Sequence, residues 1–286
     1  MDHIGQLRFA DAHVAATTVR DYLVSDFAAP FPQDDFTAGA NPTSIGLATD
    51  GGVVVGQPGG NDFLGDVLQS LRQQRPDCDW VGLGRFTEPI AADRLLYLSR
   101  LGMRAIGYRL GPNELAAPYD VQTSAALAFE LANCVCDIHV ADDIIALATP
   151  TPGVMPLPGL LTELAELLLS LPAATLECPN IAAYPPQFLR DLAYSGVNIK
   201  VTGVSFHQDG DPVALVPDFV RLIDGLTERF MLGSGADFRT SVTVLPQVLA
   251  AVVAQHGYSA ARAIVHTNAQ RWYRLGGSPS GRVTRF

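Results

Sequence analysis

The sequence predicts a single (β/α)8 TIM barrel, and three observations support that prediction. From Trp80 onward, short β-rich runs alternate with amphipathic segments of helical length, which is typical of parallel βα units. Eight β-rich runs can be counted along the chain. The length of 286 residues fits one α/β barrel, because roughly 250 residues is a common size for that fold.

The eight predicted strands are short runs rich in Val, Ile, Leu and aromatic residues. They are residues 7–13, 52–57, 80–86, 104–110, 135–140, 175–178, 199–204 and 230–234. Apolar residues at helical spacing predict seven helices between them, at residues 62–72, 91–101, 123–132, 160–171, 187–193, 216–226 and 242–255. A final helical segment, 259–275, begins at the N-cap candidate Ser259 and is expected to close the outside of the barrel.

The predicted domain covers residues 1–275, and residues 276–286 form a C-terminal tail that is expected to be disordered or bound in an oligomer. Residues 28–43, rich in Pro, Gly and polar residues, form the longest irregular segment between predicted elements. This loop is a candidate lid, and a surface excursion explains it equally well.

Charge and composition limit the possible partners. A net charge of −10 with 19 Lys and Arg gives no basic face for a phosphate backbone, so no nucleic-acid partner is expected. The N-terminus lacks the basic and apolar regions of a secretory signal, which predicts a cytoplasmic protein. The apolar segment 160–171 is interrupted by Glu163 and Glu166 and is too short to span a bilayer, so no membrane partner is expected.

The four cysteines are few for this length, and Cys134-Val-Cys136 lacks the Cys-x-x-Cys spacing of redox and zinc motifs. We therefore expect reduced, mostly buried thiols.

Chemistry in a TIM barrel takes place at the C-terminal ends of the strands, where the loops meet over the packed interior. The candidates at or after those ends are His13, Arg85, Arg109, His139, Cys178, Lys200, His207, Ser234 and Asp237. Alternation along strand five predicts that Asp137 and His139 share the inner face, while Cys134 and Cys136 face the helices.

Three C-terminal stretches, residues 198–203, 230–237 and 264–273, resemble the C-terminal third of the amidohydrolase-2 family. The resemblance implies a TIM barrel related to metal-dependent hydrolases and decarboxylases. On strand seven, Lys200, Thr202 and Gly203 align with the Lys-x-Ser-Gly of that family.

The metal positions implied by the resemblance are only partly kept. The family begins with Asp-x-His-x-His, whereas Asp11-Ala-His-Val-Ala15 keeps His13 and lacks the second histidine. His139 matches the strand-five histidine. Cys178 stands where many members have a histidine, and Gly235 stands where the Asp ligand and general base is usual. Because a catalytic zinc needs about three protein donors, we expect no cofactor, with zinc as an alternative.

The single residues have plain explanations too. His13 and His139 are catalytic candidates or buried structural histidines, and Cys178 is a substrate contact or an inert core thiol. Lys200 needs a partner inside an apolar strand, so it serves catalysis or a salt bridge to Asp137 or Asp11. A slip of one residue on strand six would exchange Glu177 for Cys178 in the pocket.

Three hypotheses follow for a small-molecule substrate. In the first, His139 or His13 acts as a general base without a metal, Lys200 stabilises an oxyanion, and Arg85 or Arg109 binds a carboxylate or phenolate. Its substrate is a small carbonyl compound or a lactone-type cyclic ester. The second rebuilds a zinc site from His13, His139 and Cys178, with Asp237 as the acid. The third is an inactive barrel that binds a ligand or partner. A homodimer is compatible with the apolar C-terminal helix.

Overall fold

The computed structural model describes residues 8–15, 48–56, 61–111, 118–141, 159–208, 210–235 and 238–276. The predicted loop at 28–43 lies outside these residues, as does nearly all of the predicted tail at 276–286.

The described residues contain eight parallel strands in one sheet, with the spatial order of the strands following the order of the chain. The strands are β1 (Arg8–Ala15), β2 (Ala48–Val55), β3 (Asp79–Phe86), β4 (Met103–Leu110), β5 (Val135–Val140), β6 (Ala174–Cys178), β7 (Asn198–Thr202) and β8 (Phe230–Gly233). β8 packs against β1, which brings the two edges of the sheet together. The predicted TIM barrel and all eight predicted strands are confirmed.

Helices follow the strands on the outside of the barrel. They are α1 (Asn61–Gln74), α2 (Ala92–Leu101), α3 (Pro118–Ala132), α4 (Leu160–Ser170), α5 (Pro186–Tyr194), α6 (Val216–Leu222), α7 (Phe238–Arg262) and α8 (Asn268–Tyr273). The predicted helix at 216–226 ends early because the chain turns after Leu222 and forms a 3-10 turn at Thr227–Arg229. α7 is longer than predicted and is interrupted at Gly257, whose φ of 83° is not helical.

The strands alternate between two buried layers. Outward residues such as Ile106, Ile138 and Val201 pack with the helices in the larger core. Inward residues form the lumen, and on β1 to β4 most of them are apolar, namely Ala10, Ala12, Val53, Val55, Val81, Leu83 and Ala105. On β5 to β7 the residues of the inner face include buried polar side chains, namely Asp137, Thr175, Glu177, Asn198 and Lys200. Among the described residues, the buried polar side chains of the lumen therefore lie mainly on β5 to β7, together with Arg85 of β3.

The segment predicted as a helix at 259–275 is divided between two places. Its first residues end α7 and form a π-helical turn at Ala263–Thr267, and Ala261, Ile264 and Val265 pack in the outer core. α8 follows, and Ala269, Tyr273 and Leu275 pack with the inward residues of the lumen. Arg274 donates a hydrogen bond to the carbonyl of Asn133, just before β5. α8 therefore plugs the N-terminal end of the barrel. The expectation that the segment closes the outside is wrong for α8, because the apolar side chains of that helix enter the lumen.

Two contacts fix the plug to the start of nearby strands. Asn268 Nδ2 donates to the carbonyls of Thr227 and Phe230, at 2.7 and 2.8 Å, where β8 begins. His266 Nε2 lies 3.0 Å from Asp50 Oδ2 near the start of β2. The C-terminal segment is thus a structural part of the barrel.

Among the described residues, one helical stretch, Val244–Tyr273, has the length and apolar composition of a membrane span. Its buried residues, including Val244, Val248 and Val252, belong to the core shared with the barrel. Packing in this core explains the apolar composition of the stretch. The stretch is also interrupted at Gly257.

All four cysteines are buried thiols that form no disulfide, as expected from the sequence. Burial raises the pKa of Cys78 and of Cys134 to about 11. Burial also raises the pKa of Cys136. Because only the thiolate is a strong nucleophile, none of these three thiols is activated at neutral pH.

Candidate active site

Three neighbouring strands place their polar residues in matched positions of the lumen. His139, Glu177 and Lys200 are register partners on β5, β6 and β7. Asp137, Thr175 and Asn198 are paired in the same way two residues earlier. Because residues two apart on a strand share a face, these six side chains form an upper and a lower layer on one wall of the lumen.

Glu177 is the centre of the upper layer. Its Oε2 atom accepts from Arg85 Nη2 at 2.5 Å and lies 3.1 Å from Lys200 Nζ. Its Oε1 atom lies 3.3 Å from His139 Nδ1. The carboxylate is 4 % exposed, so it needs these cationic partners to remain charged in the interior. Glu177 therefore joins three side chains that come from three other strands.

Arg85 reaches Glu177 from β3 because β4 has a glycine in its path. A Cβ atom on Gly107 would lie 3.1 Å from Arg85 Cδ and 2.7 Å from Leu83 Cδ2, closer than ordinary contacts. Asn61, at the start of α1, fixes the backbone at the other end: its Oδ1 accepts from the Arg85 amide and its Nδ2 donates to the Arg85 carbonyl. The direction of the Arg85 side chain is thus set by its neighbours.

Lys200 lies deeper, with no exposed side-chain surface. Its Nζ atom donates to Asp137 Oδ2 at 2.6 Å, and the Asp137 side chain is also fully buried. The hydroxyl of Tyr273, from the plug helix α8, donates to the same Oδ2 atom at 2.8 Å. Burial, together with the charge of Asp137, raises the pKa of Tyr273 well above its usual value. Tyr273 therefore stays a neutral donor.

The formal charges of this network cancel. Arg85 and Lys200 carry two positive charges, and Asp137 and Glu177 carry two negative charges. Three ion pairs link them in a row, from Arg85 to Glu177, from Glu177 to Lys200 and from Lys200 to Asp137. A balanced set of this kind reduces the cost of burying ions, while loss of one member would leave a charge unpaired.

His139 is the most exposed member of the network around Glu177, with 20 % of its side chain accessible against 11 % for Arg85. Its Nδ1 atom faces Glu177, which favours a proton on Nδ1 and leaves Nε2 as the basic nitrogen. A histidine oriented by a carboxylate in this way can act as a general base and then as a general acid.

Arg109 lies at the mouth of the barrel, next to His139. The two residues are register partners on β4 and β5, and Arg109 is exposed. Its guanidinium can therefore meet an anionic group of a ligand that approaches His139.

The sequence did not determine whether Glu177 or Cys178 of β6 faces the lumen. Glu177 lies on the lumen side, and Cys178 packs in the outer core with its Sγ atom 3.5 Å from the carbonyl of Asn180. The pocket therefore receives a carboxylate, and Cys178 is not brought together with His139.

Two of the other predicted site residues, Ser234 and His207, have described positions. Ser234 is buried just after β8, and His207 is exposed after the 3-10 turn Gly203–Phe206. His13 belongs to β1, but its side chain lies outside the described residues, and so does Asp237.

Gly235 occupies the position at which the resemblance implies an acidic metal ligand. Its φ of +71° lies in the left-handed region, and a Cβ atom there would lie 3.0 Å from Thr202 Cβ. The backbone conformation at position 235 therefore disfavours an aspartate there.

The described residues do not fit a zinc centre. No group of three His, Cys, Asp or Glu side chains among them is arranged to hold a metal ion. Cys178 faces away from the lumen, and Arg85 and Lys200 contact the Glu177 carboxylate. The donor set His13, His139 and Cys178 therefore does not converge, because its sulfur lies on the opposite face of the strand from the lumen.

Sequence reasoning did not find three residues that support the site: Asn61, Tyr273 and Trp272. Trp272 Nε1 donates to Thr175 Oγ1 at 2.8 Å from the same plug helix as Tyr273. Asn61 offered a weak signal, since a polar residue directly after a βα loop is a helix-start candidate. Trp272 and Tyr273 offered no signal in the sequence. The spacing of apolar residues in their segment is the same for a helix outside the barrel and for a helix that plugs it.

No protein-family model matches the chain, and no curated protein matches it in sequence. Solved structures do resemble it. A dihydroorotase from Campylobacter jejuni matches with a TM-score of 0.58 at 12 % identity, over 96 % of this chain and 86 % of the other. A protein of Agrobacterium tumefaciens in its apo form matches with a TM-score of 0.55 at 14 % identity, over 82 % and 83 %.

A β-aspartyl dipeptidase from Fervidobacterium islandicum, solved with a β-Asp-Leu dipeptide, matches with a TM-score of 0.52 at 12 % identity, over 98 % of this chain and 75 % of the other. Identities this low establish similarity of fold, since one fold hosts many unrelated activities. The comparisons and the strand order together identify the chain as a TIM barrel.

Proposed function

We propose that this protein is an enzyme that acts on a small carbonyl or lactone-type substrate by acid–base catalysis at His139, with no resident metal or cofactor. The observation that carries the proposal is the 3.3 Å contact between His139 Nδ1 and Glu177 Oε1 at the C-terminal end of β5. This is the end of the barrel where TIM-barrel enzymes hold their catalytic groups.

In the proposed reaction, Glu177 holds His139 in the tautomer with its proton on Nδ1. The free Nε2 atom then takes a proton from a water molecule or from an acidic C–H of the substrate. When water attacks a lactone carbonyl, the C–O bond of the ring breaks and the imidazolium returns the proton to the leaving alkoxide. Positioned acid–base help of this kind contributes roughly 10²–10⁴-fold to the rate.

Arg109 is the proposed partner for the negative charge that develops on the substrate. It is exposed and stands beside His139 on the neighbouring strand. Arg85 is a weaker candidate, because its guanidinium is already bound to Glu177. We therefore expect substrates with an anionic or strongly polarised carbonyl group.

Lys200 receives a different role from the oxyanion donor expected from the sequence. Its ammonium is fully buried and contacts two carboxylates, Asp137 and Glu177. We propose that Lys200 holds these two carboxylates in place by its ion pairs and that it does not contact substrate.

A binding protein without turnover is the second candidate. Gly235 stands where the resemblance implies an acidic side chain. The buried charges beneath His139 are neutralised in pairs, as in a purely structural network. The similar folds named above include hydrolases, which is compatible with the first proposal and carries no specific substrate over to this chain.

The test is turnover of a panel of lactones, activated esters and β-keto acids by the wild-type protein and by His139→Gln. We expect a loss of at least about 100-fold in kcat/KM for His139→Gln with an unchanged melting temperature. His207→Gln is the matched control, since His207 is an exposed histidine after β7 that does not contact the network.

Equal activity of the His139 and His207 variants would overturn the proposed role of His139. Elemental analysis of protein purified without chelator is the companion measurement. Near-stoichiometric metal that is lost with activity in chelator would replace the metal-independent proposal with a metal hydrolase. A panel with no turnover and ligand binding that depends on Arg109 would favour the binding protein.

A further inference from the structure

The lower polar layer of the lumen has no part in the proposed chemistry. It consists of Asp137, Thr175 and Asn198, which are 0 %, 0 % and 3 % exposed. The plug helix α8 closes it from below through the hydrogen bonds of Trp272 with Thr175 and of Tyr273 with Asp137. Lys200 closes it from above by its bond to Asp137. The layer is therefore a small polar compartment with protein on both sides.

Two atoms in this compartment have no hydrogen-bond partner among the described residues: Asp137 Oδ1 and Asn198 Nδ2. One is an acceptor and the other is a donor. Native proteins pair nearly all of their buried polar atoms, with protein groups or with ordered water. A complementary pair of unsatisfied atoms in one layer thus points to a ligand that can both donate and accept.

The strand spacing leaves room for a small bridging molecule. Asp137 and Asn198 lie on β5 and β7, with Thr175 of β6 between them in register. Strands two apart are separated by roughly 9–10 Å, so one oxygen atom placed between the two side chains can be reached by both.

Lys200 provides a further partner. An ammonium group carries three protons, and the described carboxylates that contact it are Asp137 and Glu177. A third acceptor placed in the lower layer would complete its hydrogen bonds.

We propose that the compartment binds one ordered water molecule. Its oxygen accepts from Asn198 Nδ2 and from the Lys200 ammonium, and one of its protons is donated to Asp137 Oδ1. Three hydrogen bonds are typical of a buried water molecule. A metal ion does not fit the same place, because the amide and ammonium groups present protons to it.

The water molecule gives the lower layer a function in the fold. It completes the hydrogen-bond shell of Asp137, whose other oxygen binds Lys200 and Tyr273. Both oxygens of Asp137 then have partners, and the ion pair of Asp137 with Lys200 holds the ammonium beside Glu177. The lower layer therefore fixes the position of Lys200, and Lys200 contacts Glu177 in the upper layer.

A crystal structure of the wild-type protein at about 1.5 Å resolution tests the proposal directly. We expect a well-ordered water molecule within about 3.2 Å of both Asp137 Oδ1 and Asn198 Nδ2. An empty compartment, or an Asn198 amide that bonds directly to protein groups, would overturn it.

The variant Asn198→Leu gives an independent measurement. If the donor is unpaired, its removal raises the melting temperature, and this result contradicts the proposal. If the donor binds water, its removal leaves that water short of a partner and lowers the melting temperature by about 2–5 °C. Asn268→Leu is the reference, because Asn268 is a buried asparagine whose Nδ2 already binds two carbonyls. Should the leucine variant fail to fold, the wild-type crystal structure alone decides.

Discussion

Arg85 on β3 and Glu177 on β6 form a buried ion pair of 2.5 Å across the lumen, between positions that are 92 residues apart in the chain. Two strands lie between them, and the Arg85 side chain passes close to Gly107 of β4. The pair fixes Glu177, and Glu177 in turn contacts His139. The orientation of the proposed catalytic histidine therefore depends on an arginine from a distant strand.

Gly107→Ala tests this dependence. The new methyl group would meet Leu83 at 2.7 Å and Arg85 at 3.1 Å, so Arg85 must move away from its present path. We expect a loss of about 1–3 kcal/mol in the free energy of unfolding, with the loss of the Arg85–Glu177 contact. Urea denaturation and a crystal structure of the variant measure the two effects.

Gly111→Ala is the control for Gly107→Ala. It adds the same methyl group just beyond the end of β4, where the nearest atom is Ala141 Cβ at 3.4 Å, an ordinary contact. A similar loss of stability in both variants would contradict the specific role of Gly107 in the path of Arg85.

Glu177→Gln should destabilise the protein strongly. The amide keeps the shape of the side chain but removes the charge that balances Arg85 and Lys200. Breaking a buried pair from one side typically costs about 3–5 kcal/mol, because the partners stay buried and unpaired. Chemical denaturation of the variant and wild type gives this difference.

An exposed ion pair offers the comparison for Glu177. Asp218 contacts Arg221 on α6, and the two side chains are 53 % and 74 % exposed. We expect Asp218→Asn to change stability by less than about 1 kcal/mol. If Glu177→Gln is equally mild, then the network carries little of the stability of the lumen.

The strands were predictable because their β-branched runs and glycine ends are local features. The strand at 135–140 was predicted with the bounds of β5, and His139 with Asp137 was correctly placed on one face of it. Parity is a property of a single strand, so a short stretch of sequence was enough for it.

The contacts between strands were not predictable in the same way. Whether Glu177 or Cys178 faces the lumen depends on the register of β6 against β5 and β7, which local sequence does not determine. The salt bridge of Lys200 was foreseen with Asp137 or Asp11 as partner, and Asp137 is the partner found. Lys200 also contacts Glu177, and Arg85 passes close to Gly107. These two contacts join different strands and could be identified only once the strands were assembled into the barrel.

The position of the C-terminal segment was the largest error. Residues 259–275 carry apolar side chains at helical spacing, and that pattern is the same whether the helix covers the barrel or plugs it. Tyr273 and Trp272 differ from ordinary covering residues only in carrying polar ends, which reach Asp137 and Thr175 inside the lumen. Aromatic residues with satisfied polar ends often mark such boundaries between apolar and polar surroundings.

Gly235→Asp tests whether an acidic ligand can be restored at the end of β8. We expect the substitution to destabilise the protein by about 1–3 kcal/mol, because of the positive φ and the 3.0 Å approach to Thr202. Differential scanning calorimetry of the variant, with and without zinc, measures the cost and any gain from metal.

Gly225→Asp separates the two causes. Gly225 has nearly the same φ, +72°, but no heavy atom lies within 4 Å of the position of its added Cβ. We expect it to cost less than Gly235→Asp, and the difference reports the contact with Thr202. Stabilisation of Gly235→Asp by zinc would show that the barrel still accommodates the acidic ligand.

Alkaline pH should unfold the protein through its buried thiols and tyrosines. Burial raises the pKa of Cys134 from 9.0 to about 11 and that of Tyr108 from 10.0 to about 12, and it raises the pKa of Tyr273 further. As the pH rises, these groups lose their protons at a lower pH in the unfolded chain than in the folded protein. Their contribution to the free energy of unfolding is therefore fully present below pH 9 and is lost as the pH rises toward the folded pKa values. Cys134 alone is expected to cost about 2–3 kcal/mol by pH 11.

Tyr273→Phe provides the sharpest check of this pH dependence, because the variant cannot ionise at the plug. We expect it to be less stable than wild type at pH 7, by about 1 kcal/mol for the lost bond to Asp137, and to lose less stability than wild type above pH 10. Tyr119→Phe is the control, since Tyr119 is 74 % exposed and its loss should leave both values nearly unchanged. The contrary outcome is that the stability curves of wild type and Tyr273→Phe run parallel between pH 9 and 12. The hydroxyl of Tyr273 would then ionise as easily in the folded protein as in the unfolded chain, and α8 would not be a closed plug.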